Sequence, residues 1–377
     1  MPNLPVSGTF VTRFWRPGIG PAVVLRREND LIDITSHATP TMRDLLERDD
    51  LPKYLRSLTG PVVANLADLA TLEPAPDAPH LLSPADLQAI KACGVTFARS
   101  MIERVIEERA AGDAARAEAV RQRVTSVIGD SLRNLKPGSP EAAEVKRLLQ
   151  IEGLWSQYLE VGIGPDAEVF TKSPPMASVG FGASVGLHPI SKWNNPEPEV
   201  VLAVDSHGRV KGASLGNDVN LRDVEGRSAL LLGKAKDNNA AAAIGPFVRI
   251  FDDSFGIDDV RQLELTLTVS GLDGFTLTGQ SSMAEISRDP LDLVAQTIGR
   301  HHQYPDGFML YCGTMFAPVQ DRDGPGLGFT HHIGDVVTIT TPALGNLTNV
   351  VRLSTEAAPW TFGSASLMRN LAGRGLL

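Results

Sequence analysis

Glu197 and Glu199 stand two residues apart in Pro196-Glu197-Pro198-Glu199, and Asp218 follows in Asn217-Asp218. On a strand, residues i and i+2 point to one face, so the two glutamates converge. Like charges held together are costly unless a cation lies between them. Pro196 and Pro198 cannot donate to a ladder, which marks a strand start or an edge. Asp205-Ser206-His207-Gly208 has turn composition. With Ser206-His207 as the loop, Glu199 opposes Ser214, Glu197 opposes Gly216 and Asn195 opposes Asp218. Asp218 then shares the glutamates' face, one pair beyond Glu197, and a one-residue slip would undo this. Three carboxylates with no Cys or His at ligand spacing select a hard cation, Mg²⁺ first, with Mn²⁺ or Ca²⁺ as further candidates. Three protein ligands leave open positions for water and for a bidentate substrate such as a 2-keto acid. The ion would act there as a Lewis acid and stabilise an enolate. Lys234 is expected to face the site and add positive charge. The alternative is a solvated acidic hairpin.

These residues need a frame. The fold class expected is α+β and mostly β. Residues 1–85 read as a small β-rich N-terminal domain, with runs such as Thr9-Phe10-Val11, Ala22-Val23-Val24-Leu25 and Asp30 to Ile34. Thr41 is a fair N-cap for a short helix from Met42 to Leu51. Pro74-Ala75-Pro76-Asp77-Ala78-Pro79 has linker composition. Residues 86–377 form the catalytic domain, and Ser83-Pro84-Ala85-Asp86 reads as a helix start. A helical block at about 100–160, rich in Glu, Arg and Ala, interrupts strand-type sequence and reads as a lid or insertion. Glu107 and Glu108 are expected to be solvated charge on it. From Val169 onward the chain is strands and turns punctuated by Gly and Pro.

Composition narrows the class. The 377 residues carry a net charge of −9, with 42% hydrophobic and 21% charged residues. Dispersed arginines and a negative balance speak against nucleic-acid binding. No stretch is apolar enough to span a bilayer, and the N-terminus lacks signal-peptide character. Cys93 and Cys312, both in apolar contexts, read as buried free thiols, which fits a reducing compartment. A cytoplasmic enzyme is the expectation, as a homodimer or homotetramer.

The motifs continue in order: Glu197-Pro198-Glu199, Asn217-Asp218 to Arg222-Asp223, Gly233-Lys234-Ala235-Lys236-Asp237, Gly245-Pro246. Phe170-Thr171-Lys172 precedes them, and Gly313-Thr314, Gly334-Asp335 and Thr340-Thr341-Pro342 follow. This series resembles the fumarylacetoacetate hydrolase superfamily over about residues 90–350. The resemblance implies a mixed β-roll catalytic domain behind a small N-terminal domain. It implies that Glu197, Glu199 and Asp218 bind Mg²⁺ or a similar ion, that Lys234 faces the substrate and that Thr341 contacts it; Lys172 is expected to pair with the substrate carboxylate or with Glu103, and Arg222 to bind the substrate. Thr340 replaces the family's glycine before Thr341.

The departure from the pattern lies upstream. The hydrolases carry a His and a Glu that activate water, whereas Gly94 to Glu103 here has Ser100 at the histidine position and keeps Glu103. Serine has no useful basicity near neutral pH, which argues against C–C hydrolysis. The chain looks instead like the 2-keto-3-deoxy-D-pentonate dehydratase branch, which takes xylonate- or arabinonate-derived sugar acids to 2,5-dioxopentanoate. On that reading Glu103 is the acid or base and Ser100 positions a substrate hydroxyl or water. An acylpyruvate-type hydrolase is the runner-up.

Other motifs carry less. Gly180 to Gly186 resembles a dinucleotide loop but has the wrong last spacing. His301-His302 and His331-His332 are adjacent pairs, which point to opposite faces on a strand. Gly279 to Met283 lacks the last glycine of a nucleophile elbow.

Overall fold

The computed structural model describes residues 1–69, 71–128, 135–151, 153 and 155–377. Its strands begin with β1 (Phe10–Arg16), β2 (Gly20–Arg27), β3 (Asp30–Asp33), β4 (Val62–Asn65), β5 (His80–Leu82), β6 (Ala89–Gly94), β7 (Glu168–Ser173) and β8 (Ser184–Leu187). They continue with β9 (Pro198–Val204), β10 (Val210–Asp218), β11 (Ala242–Ile250), β12 (Glu264–Ser270), β13 (Thr276–Ser282), β14 (Phe308–Tyr311), β15 (Val336–Thr341) and β16 (Gly345–Leu353). The helices are α1 (Met42–Leu46), α2 (Leu51–Ser57), α3 (Ala98–Arg109), α4 (Ala114–Ile128), α5 (Pro140–Ile151) and α6 (Gln157–Ile163). After the insertion come α7 (Arg222–Glu225), α8 (Leu232–Lys236), α9 (Ile257–Val260), α10 (Pro290–Thr297) and α11 (Ser364–Gly373).

Two mixed sheets form the frame. The larger runs β4-β3-β2-β1-β11-β10-β9-β14-β6-β7, with β5 on β1; the smaller runs β13-β12-β15-β16-β8. The strands of residues 1–85 are hydrogen-bonded into the larger sheet through β1 and β11. Apolar residues pack between the sheets, Val200 and Leu202 from β9 against Leu265, Leu267 and Ile339. The opposite face of β9, with Val201 and Ala203, packs under Met42, Leu45, Leu51 and Leu55 of α1 and α2. Burial on both faces explains why β9 reads as an unbroken apolar run rather than an alternation. A separate core of Met101, Val105, Ile106, Leu159 and Trp193 holds the helical insertion together.

Several local expectations change. Thr41 does cap α1, accepting from Asp44 N, but the helix ends at Leu46 and α2 begins at Leu51. Ser83 to Asp86 does not start a helix, because β6 begins at Ala89 and leaves no room for one. The Asp86 carboxylate instead accepts from the backbone N–H groups of Met42, at 2.7 Å, and Arg43, at 3.1 Å, at the start of α1. The expected helix over 100–120 is two helices. Ala111 and Gly112 adopt positive φ and terminate α3.

The β9–β10 hairpin has its own register. The loop holds three residues, since Asp205 N donates to Arg209 O, and Val204 pairs with Val210. An irregularity at Lys211 adds a second residue, so that Glu199 opposes Gly216 rather than Ser214. Each change alone would turn Asp218 to the other face. Together they shift the register by two, which preserves the face. Asp218 stands directly opposite Glu197, its N–H donating to Glu197 O at 3.0 Å.

Candidate metal centre and active site

Glu197 precedes β9, Glu199 lies within it and Asp218 ends β10. Each offers an oxygen within 4.8 Å of the others, and all three side chains are buried. Glu199 has its own neighbours, whereas Asp218 and Glu197 share Lys236. Glu199 accepts from Gly313 N at 2.7 Å and from the Thr314 hydroxyl at 3.2 Å. Asp218 pairs with Lys172 Nζ at 2.7 Å and Lys236 Nζ at 3.1 Å. Glu197 pairs with Lys236 Nζ at 2.5 Å and, through its other oxygen, with Arg104.

The electrostatics follow from burial and charge. Burial, then the charges of Asp218 and Glu197, push Glu199 well above the ordinary carboxylate range. Burial opposes ionisation of Glu197 as well, but Lys236 and Arg104 outweigh it and hold the group at about 2. Burial would lower Lys236, yet Asp218 and Glu197 keep it charged. Lys172, wholly buried, is drawn down by desolvation, with Asp218 opposing. The residues fit a hard divalent cation. The donors are all oxygen, they converge, and Glu199 bears a repulsion that such an ion would relieve. No His or Cys joins the cluster among the described residues.

Lys234 does not face this cluster; Lys236 does. The segment is the helix α8, where two residues advance the direction by about 200°. Lys236 therefore points inward and is buried, while Lys234 is exposed. Gly-Lys-Ala-Lys-Asp offered both lysines, and helical geometry separates them.

The residues named on the insertion and beside it are drawn into ion pairs. Glu103 accepts from Arg121, at 3.1 and 2.9 Å, and from Arg222 at 2.9 Å. Burial would raise its pKa, but the two arginines bring it below the ordinary value. The Ser100 hydroxyl donates to Phe97 O at 2.8 Å in the first turn of α3. Arg222 is buried, pairs with Glu107 at 2.7 Å, donates to Pro318 O and stacks on Trp193 at 4.4 Å. Glu107 is thus buried between Arg222 and Arg104 rather than solvated. Thr341 is buried at the end of β15, paired with Gly345. A cleft of about 340 Å³ opens beside Glu103, lined by Ile102, Gly279, Phe316 and Pro318. His331 and His332 diverge, as expected of neighbours. His331 Nδ1 lies 3.0 Å from Asp335, while His332 turns to Asp273 and Asp323.

Three groups at the centre escaped the sequence reading: Arg104, Glu225 and Glu168. Glu225, buried on α7, lies 3.1 Å from Arg104; burial pushes it up to about 7, with Arg104 and Lys236 opposing. Glu168 begins β7 opposite Gly94 of β6. Its pKa is raised by burial, with Arg104 and Lys236 opposing, and among the described residues it makes no ion pair. A Cβ at position 94 would overlap Glu168 Oε2, so glycine there is what admits the carboxylate. Glu168 sits four residues before Lys172 with strand-type neighbours, a spacing that by itself signals nothing.

Comparison with known proteins adds three findings. No family model matches the chain. The chain is 30% identical over 194 residues to a probable 2-keto-3-deoxyxylonate dehydratase of Haloferax volcanii, covering 52% of this chain and 63% of that protein. It is 29% identical over 185 residues to the 2-dehydro-3-deoxy-D-arabinonate dehydratase of Saccharolobus solfataricus, covering 49% and 58%. The matched part therefore spans about half of this chain and under two thirds of each relative. The solved structure of a 2-keto-3-deoxy-D-arabinonate dehydratase with magnesium and 2,5-dioxopentanoate superimposes with a TM-score of 0.62 at 20% identity, covering 92% of this chain and 99% of that one. A fumarylacetoacetate hydrolase from Exiguobacterium antarcticum gives a TM-score of 0.55 at 16% identity, covering 92% and 99%. The chain has the fumarylacetoacetate hydrolase-type fold. No helix among the described residues is long and apolar enough to cross a membrane.

Proposed function

We propose that this chain is a dehydratase of the fumarylacetoacetate hydrolase superfamily. Its reaction converts a 2-keto-3-deoxy-D-pentonate, derived from D-xylonate or D-arabinonate, to 2,5-dioxopentanoate with Mg²⁺ at Glu197, Glu199 and Asp218. The observation that carries this reading is the convergence of three buried carboxylates between two buried lysines, in a chain whose sequence relatives are named as dehydratases of such acids. The serine at position 100 supports dehydration over hydrolysis, because no histidine stands there to activate water.

A bound divalent cation would supply Lewis acidity toward the carboxylate and keto oxygens of the substrate. The chain supplies the remaining parts. Lys236 and Lys172 orient Asp218, and Lys236 places a fixed positive charge where negative charge grows on the keto oxygen. Glu168, without an ion pair among the described residues and with a raised pKa, takes the C3 proton and returns one to the departing C4 hydroxyl. Loss of that proton and of water leaves a C3–C4 double bond. Moving a proton from C5 to C3 then gives the C4–C5 enol, and passage of its hydroxyl proton to C4 yields the C5 aldehyde. Glu103 is tied to Arg121 and Arg222 and is a poorer proton carrier; it seats the insertion beside the cleft, while the Ser100 hydroxyl is taken up by Phe97 O. Arg222 acts through Glu103 and Glu107, and Thr341, buried at the end of β15, contacts the substrate.

The test offers the Mg²⁺-loaded protein 2-keto-3-deoxypentonates and, separately, acylpyruvates. Semialdehyde from the former is the expected result. Pyruvate from the latter, with the sugar acids untouched, would replace this reading by hydrolysis.

A further inference from the structure

Arg104 is the residue of the helical insertion that reaches one of the three clustered carboxylates. Its guanidinium meets Glu197 Oε1, Glu107 Oε2 at 2.6 Å and Glu225 Oε2 at 3.1 Å, and all four side chains are buried. The other two carboxylates of the cluster are held from elsewhere: Glu199 by the segment after β14, Asp218 by β7 and α8. Among the described residues, Glu197 alone of the three therefore ties the cluster to α3. Glu225 Oε2 has a second peculiarity. It is buried and near the guanidinium, yet lies off the N–H direction and accepts no hydrogen bond among the described residues. It is an acceptor that a small torsional adjustment of Arg104 would satisfy.

We infer that Arg104 couples divalent-cation binding to the seating of α3. A cation and the guanidinium compete for one oxygen of Glu197, and Glu225 is the acceptor to which the guanidinium transfers. The coupling is reciprocal: a cation that displaces Arg104 alters α3, and a firmly seated Arg104 weakens the cation. Arg104 is a positioning residue, since it acts through Glu197 and does not touch substrate. The inference rests on the metal reading of Glu197, Glu199 and Asp218 given above.

The test needs no substrate. Mn²⁺ binding to the full chain is measured by electron paramagnetic resonance, and amide exchange across 98–109 is followed with and without the ion. In the wild type Mn²⁺ changes exchange in α3 by about fivefold or more. Arg104→Met loses that response and binds Mn²⁺ about fivefold more tightly. Arg104→Lys, which restores the charge, recovers both. If Arg104→Met does not fold, the double variant Arg104→Met/Glu225→Gln removes the opposing charge and is read in the same way. Three results overturn the inference while leaving the metal site standing: α3 exchange indifferent to Mn²⁺, a response that persists in Arg104→Met, or Mn²⁺ bound no more tightly by that variant. A wild type that does not bind Mn²⁺ overturns the metal reading, and the inference with it.

Discussion

The hairpin β9–β10 and the helix α3 both deliver buried carboxylates to one centre, and they do so in opposite ways. On the hairpin, position is dictated by the backbone ladder: Glu197 faces Asp218 because their main chains are hydrogen-bonded. On α3, position depends on side chains: Arg104 and Glu107 pair within the helix, and Glu103, Arg104 and Glu107 each make an arginine–carboxylate pair that crosses to another element. A ladder tolerates loss of a side chain, whereas a buried pair broken at one end leaves an uncompensated charge worth about 3–5 kcal/mol. The hairpin is therefore suited to hold an ion, and α3 to respond to one.

This contrast can be broken at several points. The largest effect belongs to the carboxylates. Glu199→Gln should keep the fold, because Glu199 makes no ion pair among the described residues and the ladder remains, and lose more than about a hundredfold in Mn²⁺ affinity, beyond what outer-shell changes cost. A cooperative unfolding midpoint far below the wild type would show instead that this side chain holds the hairpin together. Next comes the proton-transfer group. Glu168→Gln should lower kcat about 10²- to 10⁴-fold with Mn²⁺ affinity retained, while Glu103→Gln acts chiefly on KM and the seating of α3. The reverse ranking would return the acid–base role to Glu103.

Gly94→Ala sharpens the same point from the other strand. The added methyl displaces the Glu168 carboxylate, a flexible end, so kcat should fall about tenfold while the melting temperature moves little. For the lysines, Lys236→Met should abolish turnover and Lys234→Met should leave it within about twofold; a similar loss in both would contradict the inward direction of Lys236. The smallest effect concerns Asp335, before β15. Burial would raise its pKa, but Arg322 and His331 outweigh this and hold it below the ordinary value. A depressed carboxylate stabilises the fold above its unfolded pKa of about 4, and that contribution fades as pH falls below it. The melting temperatures of wild type and Asp335→Asn should thus differ at pH 7, and the gap should begin to narrow only as pH falls below about 4.

The same contrast explains what could be read from the sequence. Glu197, Glu199 and Asp218 were legible because strand geometry has a period of two, and because two register shifts of one residue cancelled. That agreement depended on parity, since a three-residue loop without the irregularity at Lys211 would have turned Asp218 away. The motif Gly233-Lys234-Ala235-Lys236-Asp237 points to Lys234 only as long as its helical geometry is unknown, and on the helix it is Lys236 that faces the site. Glu107 looked like solvated charge because nothing in its spacing reveals Arg222, 115 residues away. Arg104, Glu168 and Glu225 were missed for the same reason. Their roles come from partners brought together by the fold, not from local pattern. Ser83 to Asp86 has a helix-start composition, but its carboxylate caps a different helix, and sequence cannot say which N–H groups an Asp will meet.

The most direct measurement is a proton NMR time course of 2-keto-3-deoxy-D-arabinonate with the protein, run with Mg²⁺ and again after chelation. The expected result is the aldehyde signal of 2,5-dioxopentanoate growing only when Mg²⁺ is present, and absent with Glu199→Gln. An unchanged substrate spectrum with Mg²⁺, or an aldehyde that forms equally well after chelation, would contradict the carboxylate centre as the seat of dehydration.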